Sequence, residues 1–153
     1  MNLVYKHPRS GGELWQAGRA YANSVSHLDE RRIKVIVYAA RENQPPMPEQ
    51  FIVIRARLID SPLLDDRLTY LTAVCADEVS DLVANYLRNG HNVVSSCWAG
   101  WNRSGLMSAL TLVKLGVPPE GAIAAVRTAR GGSALGNPIF VKIIKRLARR
   151  RQT

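Results

Sequence analysis

Cys97 and Arg103 stand six positions apart, with Gly100 between them, in the run Cys97-Trp98-Ala99-Gly100-Trp101-Asn102-Arg103. A loop of that length closes with its backbone N–H groups turned inward. If a helix starts where the loop ends, the two together cradle a phosphate-sized anion. The thiol of Cys97 then lies at the bottom of the cradle, and the Arg103 guanidinium forks over the anion's oxygens. A free thiol titrates near about 8.5 and is mostly protonated at neutral pH. A ring of amide N–H groups, a helix N-terminus and an adjacent guanidinium all favour the thiolate. The spacing therefore predicts a site that cleaves phosphate esters. Cys97 attacks phosphorus and forms a cysteinyl-phosphate, which splits one hard step into two. Arg103 gains contact as charge spreads over the equatorial oxygens in the transition state. Ser104 is placed to hydrogen-bond the sulfur and help it leave in the second step. The expected phosphate-binding set is Trp98, Ala99, Gly100, Trp101, Asn102 and Arg103, with Gly100 and Gly105 allowing the backbone to turn and approach the ligand.

Such a loop needs a strand to deliver it and a helix to receive it, and the flanks read that way. Asn92 to Ser96 is a short strand leading into the loop, and Ser104 to Leu115 is a helix that Gly116, Pro118 and Pro119 end. Upstream, Leu14 to Ala17 reads as a first strand and Arg19 to Glu30 as a helix. Ile33 to Tyr38 reads as a buried β-branched strand. Residues 41–50 hold Pro45, Pro46 and Pro48 and predict a loop. Phe51 to Ala56 is the next strand, followed by a turn at Asp60-Ser61-Pro62 and a long helix from about Arg67 to Arg88, stopped by Asn89-Gly90. Glu120 to Thr128 and Pro138 to Arg150 complete the helices. Strands alternating with helices predict an α/β fold with a central, mostly parallel sheet of four to five strands flanked by helices. In such sheets ligands bind beyond the carboxyl ends of strands, where Cys97 falls.

A chain of 153 residues fits one domain, expected to span 1–153, with a basic C-terminal helix over about 138–153. No run of 18 apolar residues is present, so no membrane span is expected. Met1 to Gly12 lacks an apolar core of the kind that marks a secretory signal, so a cytoplasmic location is expected. Two cysteines are too few for a disulfide framework, and Cys75 is expected to pack as a small hydrophobe. The net charge of +9 fits an anionic partner without identifying one. His7, His27 and His91 have no metal-ligand spacing. The chemistry as read needs neither a metal nor another cofactor.

The stretch around Cys97 resembles the signature of cysteine-dependent protein tyrosine and dual-specificity phosphatases, whose loop reads His-Cys-x-x-Gly-x-x-Arg-Ser/Thr. It is most similar to the compact dual-specificity branch. Leu14 to Gly18 resembles that family's opening strand, Ile33 to Ala39 its second strand, and Ala134 to Phe140 the entry of its closing helix. The resemblance covers about residues 12 to 148, with only the loop being specific. It implies a general acid on an aspartate after the strand that precedes the long helix. Asp60 matches that position, and Asp65 and Asp66 on the same loop are the alternatives. It further implies a phosphorylated protein or peptide as substrate, carrying phosphotyrosine and also phosphoserine or phosphothreonine.

Two departures bear on those expectations. Ser96 stands where the family usually has a histidine that organises the loop, which opens the alternative of a catalytically weak, phosphate-binding pseudophosphatase. Trp98 and Trp101 make the loop bulky and apolar, either walling a substrate ring or packing on neighbouring loops. The run Gly100-Trp101-Asn102-Arg103-Ser104-Gly105 is also similar to the Gly-x-Asn-Arg-Thr-Gly loop of RNA 5′-triphosphatase relatives. With the basic charge, this makes an RNA 5′ end the second candidate substrate.

Overall fold

The computed structural model describes all residues, 1–153, as an α/β sandwich around a five-stranded sheet. In chain order the elements are β1 (Asn2–Lys6), β2 (Glu13–Ala17), α1 (Arg19–Ala22), α2 (Val25–Glu30), β3 (Ile33–Ala40), β4 (Ile52–Leu58), α3 (Asp66–Arg88), β5 (Asn92–Ser96), α4 (Arg103–Lys114), α5 (Pro119–Arg130) and α6 (Pro138–Arg151). The strands lie in the order β1-β2-β5-β3-β4. All neighbours are parallel except β1, which runs antiparallel along the edge of β2.

The sheet is covered on both faces, as a parallel sheet must be. One face packs the larger core against α3 to α6, with Leu106, Leu110, Leu112, Phe140 and Ile144 fully buried. The other packs a smaller core of Leu28, Ile36, Tyr38, Phe51 and Val94 under α1 and α2. Strand β3 is buried from Val35 to Ala40, which explains its near-continuous β-branched run.

The structure corrects two readings of the N-terminal third. Leu14 to Gly18 is not the opening strand, because β1 precedes it. This edge strand is largely exposed, with Leu3 at the surface, so it carries no apolar alternation to mark it. The helix expected over Arg19 to Glu30 is two short helices broken at Asn23 and Ser24. Ser24 is extended (φ −102°, ψ 112°), and the Asn23 amide donates to Asn43 Oδ1 at 2.9 Å. That tertiary bond outweighs the local helical preference.

Tyr38 lies in the smaller core with its hydroxyl donating to Ala22 O at 2.9 Å. Burial pushes its pKa up from 10 to about 12. Between those values the unfolded chain ionises Tyr38 while the folded chain keeps it neutral. Its contribution is therefore complete below pH 10 and is lost as pH rises through 12. Denaturant titrations of wild type and Tyr38→Phe should differ in slope there, the wild type losing about 2–3 kcal/mol more across the interval. Parallel alkaline limbs would contradict the burial of this phenol.

Candidate active site

Strand β5 sits in the middle of the sheet, paired to β2 on one side and β3 on the other, and it delivers Cys97 at its carboxyl end. The chain then turns through residues 97–102 into α4, a helix buried on nearly every side. Gly100 makes the turn with φ +78°. A Cβ there would stand 2.5 Å from Ala17 C and Gly18 N, so only glycine fits.

The loop carbonyls are each held from outside. Arg19 N donates to Trp98 O at 3.0 Å, and the Arg130 guanidinium donates to Ala99 O at 3.1 Å and Gly100 O at 2.9 Å. Gln16 Nε2 adds a second donor to Gly100 O at 3.0 Å, and Leu135 N donates to Trp101 O at 3.2 Å. A trans peptide points its N–H away from its C=O. Drawing these four carbonyls outward therefore turns the N–H groups of Ala99, Gly100, Trp101 and Asn102 to the opposite side. Gly100 N lies 3.3 Å from Cys97 Sγ, and the N–H groups of Ala99, Trp101 and Asn102 donate to no protein group. The first turn of α4 has no acidic residue and no side-chain cap, which leaves its positive end unneutralised.

Cys97 is 3% exposed, and its sulfur lies 3.3 Å from the Ser104 hydroxyl, where the sequence places that serine. Ser95 Oγ donates to Ser104 O at 2.9 Å and locks the start of the helix to the strand. Ser96 is fully buried, but its hydroxyl reaches only Cys97 O, at 3.4 Å. Cys75 is on α3, half-buried, with its thiol against Ala56 O at 3.6 Å. Burial pushes that thiol's pKa up, and the nearby Glu78 carboxylate adds to the effect.

Arg103 opens α4 and is buried. Its two terminal nitrogens fork onto the Glu42 carboxylate, with Nη1 at 2.6 Å from Oε2 and Nη2 on Oε1, and Nη1 also donates to Leu58 O at 3.2 Å. Its Nε is buried with no partner. Burial works against the charged guanidinium. The bond to Glu42 and the proximity of Cys97 and Asp60 more than offset that, and hold its pKa above the ordinary arginine value. Reciprocally, the Arg103 bond holds Glu42 below the usual carboxylate range.

Asp60 lies on the loop after β4, beside the cradle. Its Oδ2 accepts from Asn102 Nδ2 and its Oδ1 from Asn137 Nδ2, both at 2.9 Å. Asp65 instead caps α3, accepting from Leu68 N at 2.7 Å, and Asp66 is the first residue of that helix. The chain reaches Asp60 through Arg57, which adopts a left-handed conformation (φ 49°) where the β3–β4 register shifts, before Leu58 pairs with Ala40. Trp98 and Trp101 are 45% and 46% exposed on the rim, and the Arg19 guanidinium stacks 3.9 Å over the Trp98 ring.

Of the expected phosphate-binding residues, Gly100 meets the sulfur through its N–H, and Ala99, Trp101 and Asn102 keep free N–H groups in the same loop. The Trp98 and Trp101 rings are half-exposed, and Arg103 forks onto Glu42 rather than over the sulfur, with Nε free. His7, His27 and His91 lie on separate elements, and no three potential metal ligands cluster. No helix is long and apolar enough to cross a membrane. Sequence reading missed Glu42, Gln16 and Arg130. Each lies far from the loop in the chain, and only Glu42 had a local signal, an acidic residue just past a buried strand.

The sheet order and the placement of the cysteine loop are those of a compact dual-specificity phosphatase fold. No protein-family model and no curated protein sequence matches the chain. Among solved structures it is similar to human DUSP28, with a TM-score of 0.82, 18% identity and coverage of 99% of this chain and 98% of that one. It is similar as well to the human tyrosine phosphatase-like serine/threonine/tyrosine-interacting protein (TM-score 0.74, 17% identity, 92% and 93% covered). A third match is Tk-PTP in its active form (TM-score 0.69, 17% identity, 97% of each chain covered). At such identities the likeness is one of fold, and activity has to be argued from the site.

Proposed function

We propose that the chain is a cysteine-dependent phosphatase that hydrolyses phosphate monoesters on proteins, phosphotyrosine first and phosphoserine or phosphothreonine with it. The observation that carries this reading is a buried sulfur 3.3 Å from the Gly100 N–H, in a loop whose Ala99, Trp101 and Asn102 N–H groups have no protein partner, with the unpartnered Nε of Arg103 at the start of the following helix. A phosphoryl group is the anion whose several oxygens would use all of those donors. Cys97 Sγ bonds to phosphorus as the ester P–O bond breaks. Asp60 gives its proton to the departing oxygen, and the resulting carboxylate takes one from the water that later attacks phosphorus. The sulfur leaves as thiolate, accepting from the Ser104 hydroxyl. The name of one structural neighbour, a mouse putative dual specificity phosphatase, supports the same class, and another is named tyrosine phosphatase-like.

Phosphate release from a panel of phosphopeptides and 5′-phosphorylated RNAs tests the substrate. The expected result is turnover of phosphotyrosine peptides at rates that change little with salt. Preferential hydrolysis of RNA ends, weakening steeply as salt rises, would move the assignment to an RNA 5′-phosphatase. For the acid, Asp60→Ala should lower turnover of an alkyl phosphate by about 10²-fold and of nitrophenyl phosphate far less, because the poorer leaving group needs the proton more. Equal losses on both would point to Asp65 or Asp66.

A further inference from the structure

The Asp60 carboxylate is held by two amide side chains whose orientations are both fixed. Asn102 Oδ1 accepts from the backbone N–H of Asn137 at 3.2 Å, so its Nδ2 is the end that faces Asp60 Oδ2. Asn137 Oδ1 accepts from Ile139 N at 3.0 Å as the N-cap of α6, so its Nδ2 faces Asp60 Oδ1 and also Ser61 O at 3.1 Å. Asn102 stands at the N-cap position of α4, but its side chain makes no capping bond there. Asn137 is buried, and besides capping its own helix through Oδ1 it turns its amide nitrogen onto an exposed aspartate. Three segments distant in sequence thus meet on one carboxylate: the end of β4, the cysteine loop and the entry to α6.

From this geometry we infer that Asn102 and Asn137 are positioning residues that clamp Asp60 over the cradle as proton donor. The inference rests on the reading of Asp60 as the general acid. An exposed aspartate on a loop otherwise samples several rotamers, and proton transfer requires its oxygen within hydrogen-bond reach of the leaving group. Each carboxyl oxygen has two acceptor directions. One is taken by an amide, and the other stays free to carry the proton passed to the departing oxygen as the P–O bond breaks. Because Asn102 belongs to the cysteine loop, the acid is registered against the structure that holds the phosphoryl group. The loop from Gly131 to Asn137, with Leu135 in a left-handed conformation (φ 56°), is tied down for the same purpose by Leu135 N on Trp101 O.

Asn137→Ser keeps a side-chain cap for α6 but cannot reach Asp60, and Asn137→Asp keeps the cap while setting a second carboxylate against it. Turnover of a phosphoserine peptide by either variant should fall about tenfold or more, and that of nitrophenyl phosphate about twofold, with KM little changed. Adding Asn137→Ser to Asp60→Ala should cost nothing further on the phosphoserine peptide, since the residue acts through a group no longer present. Equal losses on both substrates, or a full loss persisting in the Asp60→Ala background, would overturn the clamp and leave Asn137 a structural cap. If Asp60→Ala itself spares the phosphoserine peptide, the assignment of the acid fails instead, a result the single variant reports on its own.

Discussion

Cys97→Ser is expected to cut kcat by roughly 10⁴–10⁶-fold, the scale of removing a covalent nucleophile, while inorganic phosphate still binds. The two halves of this expectation come from different parts of the site. On the proposed reading, binding falls to the loop amides, whose carbonyls are anchored on Arg19, Gln16, Arg130 and Leu135, none of which touches the sulfur. Reaction requires a nucleophile that is anionic inside that ring, and a serine hydroxyl is not. Steady-state assays with nitrophenyl phosphate and phosphate binding followed by ³¹P line broadening give the two readouts. A serine variant as fast as wild type would end the covalent account, and so would one that loses binding along with rate.

Arg103→Lys should lower kcat/KM by about 10³-fold with little change in melting temperature. An arginine stabilising phosphoryl-transfer charge is worth roughly that much. Lysine offers neither the planar fork that grips Glu42 nor an Nε beside the cradle. Glu42 is half-exposed, so it returns to water when its pair weakens, and the buried lysine ammonium can still keep one charge-assisted bond to it, so the fold loses little. If Arg103 acts mainly in the transition state, kcat and kcat/KM fall together, whereas a rise in KM alone would make it a ground-state binding residue. Glu42→Gln should show a smaller loss of the same kind, because one amide oxygen can still accept from Nη1 or Nη2.

What could be read in the chain was what lies contiguous in it. The strand, the cysteine loop and the helix after it form one segment, and their period and glycines announce them without tertiary knowledge. The long helix α3 was equally plain, from its length and its Asn89-Gly90 stop. Edge strand β1 was not, because exposed strands lose the alternation that burial imposes. The supports of the loop were invisible for another reason. Arg130 ends α5, Gln16 lies in β2 and Glu42 follows β3, and only the fold brings them to the same carbonyls and guanidinium. The Ser96 hydroxyl makes one long contact, at 3.4 Å, and the loop carbonyls are held instead by Arg130, Gln16 and Arg19. Asn137 sat within a stretch already recognised as a helix entry, but its second role, on Asp60, needed the β4 loop in place.

Rapid acid quenching of the Ser104→Ala variant during turnover of a phosphotyrosine peptide, followed by mass analysis of the digest, bears most directly on the central claim. Without the hydroxyl that lies 3.3 Å from the sulfur, departure of the thiolate should slow and the intermediate should accumulate. The account predicts a phosphoryl group on the peptide containing Cys97 and on no other. Steady turnover with an unmodified Cys97, or a phosphoryl group on any other residue, would contradict it.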